Sequence, residues 1–292
     1  MTDFFKTVAL GSVLVLCIVS CSPKEAEGPF TMTSVDNVVL KSEYITDEDF
    51  NFPFNVLLPS DYETSGKKYP VLYLFHGVID DHNAWKKKGD VVRMTEDAVN
   101  DGVIEPFIIV LPNAYLSFYV DSLDWSELLP FINSPKLRFE SFFTKTLQPY
   151  IESHYPVLAD REHTAIVGLS MGGYGASYHA FKYPDKYCYC ASISGAVKGG
   201  NWTGITDRIP SVQDIFEREG YRRGSFKDLP EYVMDCGDAD PICGHFNEET
   251  HEFLDSIGFP HKYRRMPGTH AWNYWKEAYK RMLPELARHF NE

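Results

Sequence analysis

The chain has 292 residues, 44% of them hydrophobic and 15% aromatic, enough apolar material to bury a large core in one domain. No repeat or low-complexity block interrupts it, and a formal charge of −13 argues against nucleic acid or an anionic membrane surface as a partner without choosing a substrate.

Val8 to Val19 is nearly all apolar and about a dozen residues long, too short to span a bilayer and the right length for a signal-peptide core. It ends in Ile18-Val19-Ser20-Cys21, which resembles a bacterial lipobox; in that reading the peptide is cleaved before Cys21 and the cysteine is acylated. The expected organisation is a leader over 1–20, a polar tether over 21–30 and one folded domain over 31–292. Such a chain is an exported bacterial lipoprotein that meets the membrane only through the lipid on Cys21. The positive region of the leader is weak, because Asp3 offsets Lys6.

Beyond the tether, strand-like runs near Phe52–Leu58, Val71–Phe75, Phe107–Leu111, Ala165–Leu169, Tyr189–Ser194 and Tyr232–Cys236 are expected to alternate with helical stretches. The helices are expected near Val91–Asp101, Phe139–Ser153, Tyr174–Tyr183, Asn247–Ser256 and Asn273–Phe290, and His261–Met266 reads as a final edge strand. Alternation of this kind means an α/β fold, a mostly parallel sheet covered on both faces.

Within that pattern, Gly168-Leu169-Ser170-Met171-Gly172 is a G-x-S-x-G sequence set between a short β-branched run, Thr164 to Leu169, and a small-residue helix from Met171 to Tyr183. A strand-to-helix turn this tight forces the serine into strained backbone geometry and stands its hydroxyl clear of the sheet. A nucleophilic serine needs a base and an orienter, which in this arrangement follow it in the order acid, then histidine. Glu231 to Gly237 runs into Asp238-Ala239-Asp240-Pro241 at a strand's carboxyl end, where α/β sheets place their sites, so the acid is Asp240 or Asp238. Of the ten histidines, His270 follows Pro267-Gly268-Thr269 in a loop at that same end. His154, His163 and His289 lie in polar helical or connecting stretches, while His245 and His251 fall in a helical stretch and His261 on a strand; these read as surface or packing residues.

Together these segments resemble the esterase D and feruloyl esterase branch of the α/β-hydrolases, a family that also holds S-formylglutathione hydrolases, enterochelin esterases and mycolyltransferases. Tyr69 to Gly77 resembles the strand and His-Gly turn before the family's oxyanion loop, and Ser117 to Ser122 its S-x-Y-x-D-S segment. Cys236-Gly-Asp-Ala-Asp240 fits the family's C-G-x-x-D and implies Asp240 as the acid. Gly268-Thr-His-Ala-Trp272 fits G-G-H-x-W with Thr269 in place of the second glycine. The resemblance implies an α/β-hydrolase fold and a cofactor-free serine ester hydrolase working through an acyl-enzyme. Ser170 is its expected nucleophile, His270 its base and Asp240 its orienter, and the backbone N–H groups of Val78 and Met171 form the oxyanion hole.

Aromatic residues crowd the segments expected at the mouth of the site. Tyr119, Trp125, Trp202 and Trp272 are the substrate-binding candidates, in company with Trp85, Tyr115, Phe118 and Trp275. A flat aromatic wall suits a phenolic acyl group or a sugar ring, and an exported, lipid-anchored member of this family most resembles those that remove feruloyl or acetyl groups from plant polysaccharide. Trp272 and Trp275 share a helix face, so at least one is expected in the core. Rival readings are a siderophore esterase, with Arg218 to Arg223 meeting an anionic catecholate; an S-formylglutathione hydrolase-like thioesterase, which an export signal contradicts; and a non-catalytic glycan-binding lipoprotein, which an intact triad disfavours. Of the six cysteines, Cys17 and Cys21 belong to the leader and lipobox. Cys188 and Cys190 face the same side of a strand and are poorly placed to bond each other, whereas Cys236 and Cys243 could be bridged or remain buried thiols. No C-x-x-C or H-E-x-x-H spacing occurs, so no metal is expected.

Overall fold

Apolar runs without alternation belong to strands buried on both faces, and the middle of the chain supplies four of them, in which every residue is buried: β4 (Val71–Phe75), β5 (Ile108–Pro112), β6 (Thr164–Leu169) and β7 (Tyr189–Ile193). In the computed structural model, which describes residues 33–35, 38–47, 50–121, 137–199, 209–221 and 226–291, they form the centre of one sheet. The leader, the tether and Cys21 lie outside the described residues, as do Trp125 and Trp202. The other strands are β1 (Thr33–Val35), β2 (Val38–Asp47), β3 (Phe50–Pro59), β8 (Glu231–Gly237) and β9 (Lys262–Met266). Among the described residues the order is β1-β2-β3-β5-β4-β6-β7-β8-β9. β1 to β3 form an antiparallel meander, β3 joins β5 antiparallel, and every pair from β5 to β9 is parallel.

The helices are α1 (Ala84–Lys87), α2 (Val91–Asn100), α3 (Phe139–Phe142), α4 (Gln148–His154), α5 (Met171–Lys182), α6 (Val212–Arg218), α7 (Gly244–Ile257) and α8 (Trp272–Phe290). A π-helical turn, Phe143–Leu147, joins α3 to α4. Alternate strand residues serve opposite faces of the sheet. Leu72, Leu74, Val167 and Val233 pack in one cluster with Met94 of α2 and Tyr279, Met282 and Leu286 of α8. The intervening residues face aromatics on the other side: Tyr73 meets Phe143 at 5.1 Å, and Tyr232 meets Phe181 of α5 at 4.8 Å. Each such side chain contributes roughly 1.5–3 kcal/mol by leaving water.

The chain steps from β4 outward to β5, then returns past β4 to β6. That reversal opens a crevice at the carboxyl ends of β4 and β6, the place where α/β sheets bind their ligands. The α/β class read from the sequence is borne out. The meander is longer than expected, since of its three strands only β3 was anticipated. β2 reads Val-Val-Leu-Lys-Ser-Glu-Tyr-Ile-Thr-Asp, and its mixed polar face conceals a strand, although its partner β3 follows it directly in the chain, with Asp47 paired to Phe50. α6 was also unanticipated; its Ser211–Asp214 capping box is the signal that marks it.

Candidate active site

Ser170 stands at the junction of β6 and α5 with φ 53° and ψ −117°, a conformation that costs on the order of 1–3 kcal/mol for a residue with a side chain. The junction holds it from both sides. Ser170 N donates to Ile193 O at 2.9 Å, and its carbonyl accepts from Tyr174 N at 3.1 Å and Ala196 N at 3.0 Å. Gly172 is needed just beyond it, because a methyl group there would come within 2.6 Å of the carbonyl oxygens of Phe75 and His76.

The other two polar residues sit on loops that are laced together. β8 and β9 pair as far as Gly237 and Met266. Past that point Asp238 N donates to Met266 O at 2.9 Å and Ala239 N to Gly268 O at 3.0 Å, while Asp238 Oδ1 accepts from Gly268 N at 3.1 Å. Asp240 Oδ1 accepts the backbone N–H groups of Ile242 and Cys243 at 2.9 and 2.8 Å. Its Oδ2, which also accepts from the Cys236 thiol at 3.7 Å, is thereby turned to His270 Nδ1, 2.8 Å away. With a carboxylate as partner, Nδ1 is the nitrogen that carries the proton, and Nε2 turns its lone pair on Ser170 Oγ at 3.0 Å. Burial alone would push the Asp240 carboxyl up, but the hydrogen bonds from His270, Cys243 and Ile242 outweigh it and hold the group down at about 2. The ring edge of Trp275 closes on His270 at 5.0 Å and 90°. Hydroxyl, imidazole and carboxylate in this order let the imidazole take the hydroxyl proton while the carboxylate fixes the tautomer and stabilises the imidazolium.

Opposite the serine, β4 ends in His76-Gly77-Val78. Gly77 packs on the strand-to-helix elbow at Ser170 so closely that a methyl group there would meet Leu169 Cδ1 at 2.7 Å and Ser170 Cβ at 3.5 Å, and half-buried Val78 follows it in the chain. Met171 is the first residue of α5, so its amide has no carbonyl partner within the helix. The sequence carried no assigned role for His76, and the structure supplies one. His76 Nε2 accepts from Ala114 N at 3.0 Å, so Nδ1 holds the proton and donates to Gly77 O at 2.7 Å. Burial lowers its pKa and keeps the ring neutral. The ring thus ties the Gly77–Val78 turn to the loop after β5; the visible signal was a histidine ending a wholly apolar strand.

A second layer supports the His270 loop. The ring of Tyr274 lies directly on Gly268, and its hydroxyl donates to buried Asp235 of β8. Asp235 also accepts from Arg281 Nη2 at 2.8 Å and Nε at 3.1 Å.

The aromatic expectations fare unevenly. Tyr119 is not a wall of the site: it is fully buried, its ring stacks on Phe75 at 4.1 Å, and its hydroxyl donates to His76 O at 2.9 Å. It packs behind the His76–Val78 turn instead of lining the site. Trp272 is half-buried and meets Trp85 and Trp275 edge-on, each at 5.2 Å; Trp275 takes the core position of the helix pair. Cys188, Cys190, Cys236 and Cys243 are free, buried thiols, so the pairing left open for Cys236 and Cys243 is not made.

The family described as "Putative esterase" matches residues 48–212, a span that takes in both the His76–Val78 turn and the elbow. An esterase of Mycobacterium tuberculosis is 26% identical over 252 residues, covering 75% of this chain and 52% of that protein, so the chain spans about half the length of that relative. An endo-1,4-beta-xylanase/feruloyl esterase of Xylanibacter ruminicola is 30% identical over 238 residues, covering 80% of this chain and 29% of that protein. Among solved structures, a ferulic acid esterase superposes with a TM-score of 0.74 at 28% identity, covering 87% of this chain and 99% of its own. The family match covers more than half of the sequence and coincides with the strained serine and the turn that faces it, and on that ground the chain belongs to the putative esterase family, with an α/β-hydrolase fold.

Proposed function

We propose that the protein is a serine carboxylesterase in which Ser170 is the nucleophile, His270 the general base and acid, and Asp240 the residue that orients the histidine. The observation that supports this reading best is the hydrogen-bonded chain from Ser170 Oγ through His270 to the Asp240 carboxylate, 3.0 and 2.8 Å long. Ser170 Oγ attacks the acyl carbon as its proton passes to His270 Nε2, and the developing oxyanion is met by the amides of Met171 and Val78. Collapse of the tetrahedral adduct breaks the bond to the alcohol, which leaves with the proton from His270. Water then repeats the sequence on the acyl-enzyme and releases the carboxylic acid and free Ser170.

For the substrate, the reading is a feruloyl or acetyl group on plant polysaccharide. Its support is the likeness to a xylanase/feruloyl esterase and to a ferulic acid esterase. The apolar run Val8 to Val19 and the lipobox-like Ile18-Val19-Ser20-Cys21 support an exported form, cleaved before Cys21 and lipid-anchored there. Initial rates on methyl ferulate, acetylated xylan and a catecholate trilactone test the substrate class. Turnover of either of the first two, abolished in Ser170→Ala, is the expected result. Preference for the trilactone would replace the substrate class with a siderophore, and a Ser170→Ala rate within about tenfold of wild type would overturn the nucleophile, whose loss ordinarily removes about 10⁶ in kcat.

A further inference from the structure

At the end of β9 remote from His270, three side chains that the esterase chemistry does not use come together. His251 and Asp255 lie one helical turn apart on α7, and His261 stands in the turn that leads from α7 into β9. One donor atom from each of the three lies within 4.8 Å of the other two. His251 Nδ1 and His261 Nε2 are 2.9 Å apart. His261 Nδ1 faces Phe259 O at 2.9 Å; a carbonyl can only accept, so Nδ1 holds the proton and Nε2 presents its lone pair. A carbonyl behind the ring is the device that fixes the tautomer of metal-ligating histidines. Both rings are also held by neighbours, His251 by Tyr263 at 4.6 Å and His261 by Phe259 at 6.1 Å.

We propose that His251, His261 and Asp255 form a divalent transition-metal site that ties α7 to the entry of the edge strand β9. Two imidazole nitrogens bound about 2.1 Å from one ion stand about 3.0 Å apart at a right angle and about 3.4 Å apart at the tetrahedral angle. The observed 2.9 Å therefore needs almost no movement for the first geometry and an opening of about 0.5 Å for the second. Two imidazoles and one carboxylate select Zn²⁺, Ni²⁺ or Cu²⁺ over the oxygen-seeking Mg²⁺ and Ca²⁺. The Asp255 side chain is 65% exposed and offers an oxygen within 4.8 Å of the histidine donors, so it can swing onto the ion, with water filling the rest of the shell. On binding, the ion takes the place of the Nδ1 proton that His251 now directs at His261; the ring changes tautomer, giving up that proton and taking one at Nε2, so it stays a neutral imidazole. β9 is an edge strand with no fully buried residue, the kind of element whose free edge needs restraint. The His-x₃-Asp-x₅-His spacing lies outside the compact motifs from which metal sites are read, and only the turn at Gly258 to His261 assembles it.

Calorimetric titration of EDTA-stripped protein with Zn²⁺, paired with melting curves, tests the site without recourse to catalysis. The expected result is one equivalent bound with a rise in Tm that EDTA reverses. His251→Gln and His261→Gln should each weaken binding at least about tenfold and lose the rise, while His245→Gln, at the exposed His245–Glu249 pair, retains both. Apo variants that melt with the apo wild type show the fold retained; if His261→Gln does not fold, His251→Gln and Asp255→Ala carry the test. Wild-type affinity in His251→Gln, or a wild-type protein that takes up no Zn²⁺, would leave only a hydrogen-bonded histidine pair and overturn the proposal.

Discussion

Asp240→Asn separates the charge of the acid from its shape, and the structure dictates how the amide must sit. Oδ1 of Asp240 accepts from the N–H groups of Ile242 and Cys243 at 2.9 and 2.8 Å. An amide NH₂ in that position would set a donor against two donors, so the asparagine carbonyl has to take it and the NH₂ has to face His270. There it donates to Nδ1, and the imidazole proton moves to Nε2, where it points at Ser170 Oγ 3.0 Å away. A nitrogen that already carries a proton cannot take one from the serine. The productive tautomer survives only in the reversed flip, which leaves two buried N–H groups unpaired at about 1–3 kcal/mol each. At about 1.4 kcal/mol per decade, that is a population of roughly one part in 30 to one in 30,000, before any loss of charge stabilisation of the imidazolium. The expected fall in kcat is therefore on the order of 10³–10⁴, close to the roughly 10⁴ seen when a triad acid is replaced by its amide. Asp238→Asn keeps its acceptor for Gly268 N and should stay within about tenfold of wild type, the effect of one rearranged surface hydrogen bond. The measurement is kcat on methyl ferulate for both variants under identical conditions. Asp240→Asn within about tenfold of wild type, or a greater loss in Asp238→Asn, would refute the tautomer reasoning and with it the acid.

Gly175→Ala in α5 should lower Tm, although Gly→Ala in a helix interior ordinarily gains about 1 kcal/mol. The new methyl would overlap the Tyr119 ring, which Phe75 and His76 pin from two sides, and overpacking at about 1–3 kcal/mol outweighs the gain; a raised Tm would show that the ring yields. Tyr274→Phe removes one hydrogen bond to buried Asp235 while Arg281 keeps its two, so chemical denaturation should show a loss of about 1.5–3 kcal/mol with KM unchanged; undiminished stability would mean the clamp is idle. Stability on the acid side should follow Asp240, whose carboxyl is held at about 2 against about 3.9 unfolded, so its contribution is complete above about pH 4 and is lost as the pH falls through about 2. Asp240→Asn should flatten the Tm–pH curve across that window, and an unchanged slope would count against the assignment.

How far the site could be read from the sequence depends on how local each constraint is. The elbow was legible because everything it needs lies within a few residues: a buried strand, a serine forced to φ 53° and a glycine where a methyl would strike the carbonyls of Phe75 and His76. Asp240 and His270 were legible at one remove, because loops at the carboxyl ends of adjacent parallel strands must lie together once the strands pair. The aromatics were not. Tyr119 and Trp272 are the same kinds of residue whether they line a crevice or fill the space behind it, and only the approach of α5 to Tyr119 decides the matter. β2 was hidden for a related reason, since its pairing with β3 makes it a strand more than its own composition does.

The polar residues that escaped notice share one property: each acts on a partner far away in the chain. His76 bonds the amide of Ala114, and Asp235 on β8 gathers Tyr274 and Arg281 from α8. His251 meets His261 only because the chain reverses at Gly258. None of these pairs has a spacing set by helix or strand periodicity, so no repeat in the sequence announces it. Their number suggests why Ser170 can be held in a conformation that costs energy. The strain at the elbow is offset from two sides: His76 bonds the loop after β5 to Gly77, and the His270 loop is bonded to Asp238 and Ala239 at Gly268, on which the Tyr274 ring packs while its hydroxyl bonds Asp235. Each link is individually worth about 0.5–1.5 kcal/mol, or about twice that where a charge takes part. A loosening at any one of them would reach the reacting atoms as a displacement, and at hydrogen-bond distances of 2.8 and 3.0 Å a shift of about 1 Å is enough to cost two orders of magnitude in rate.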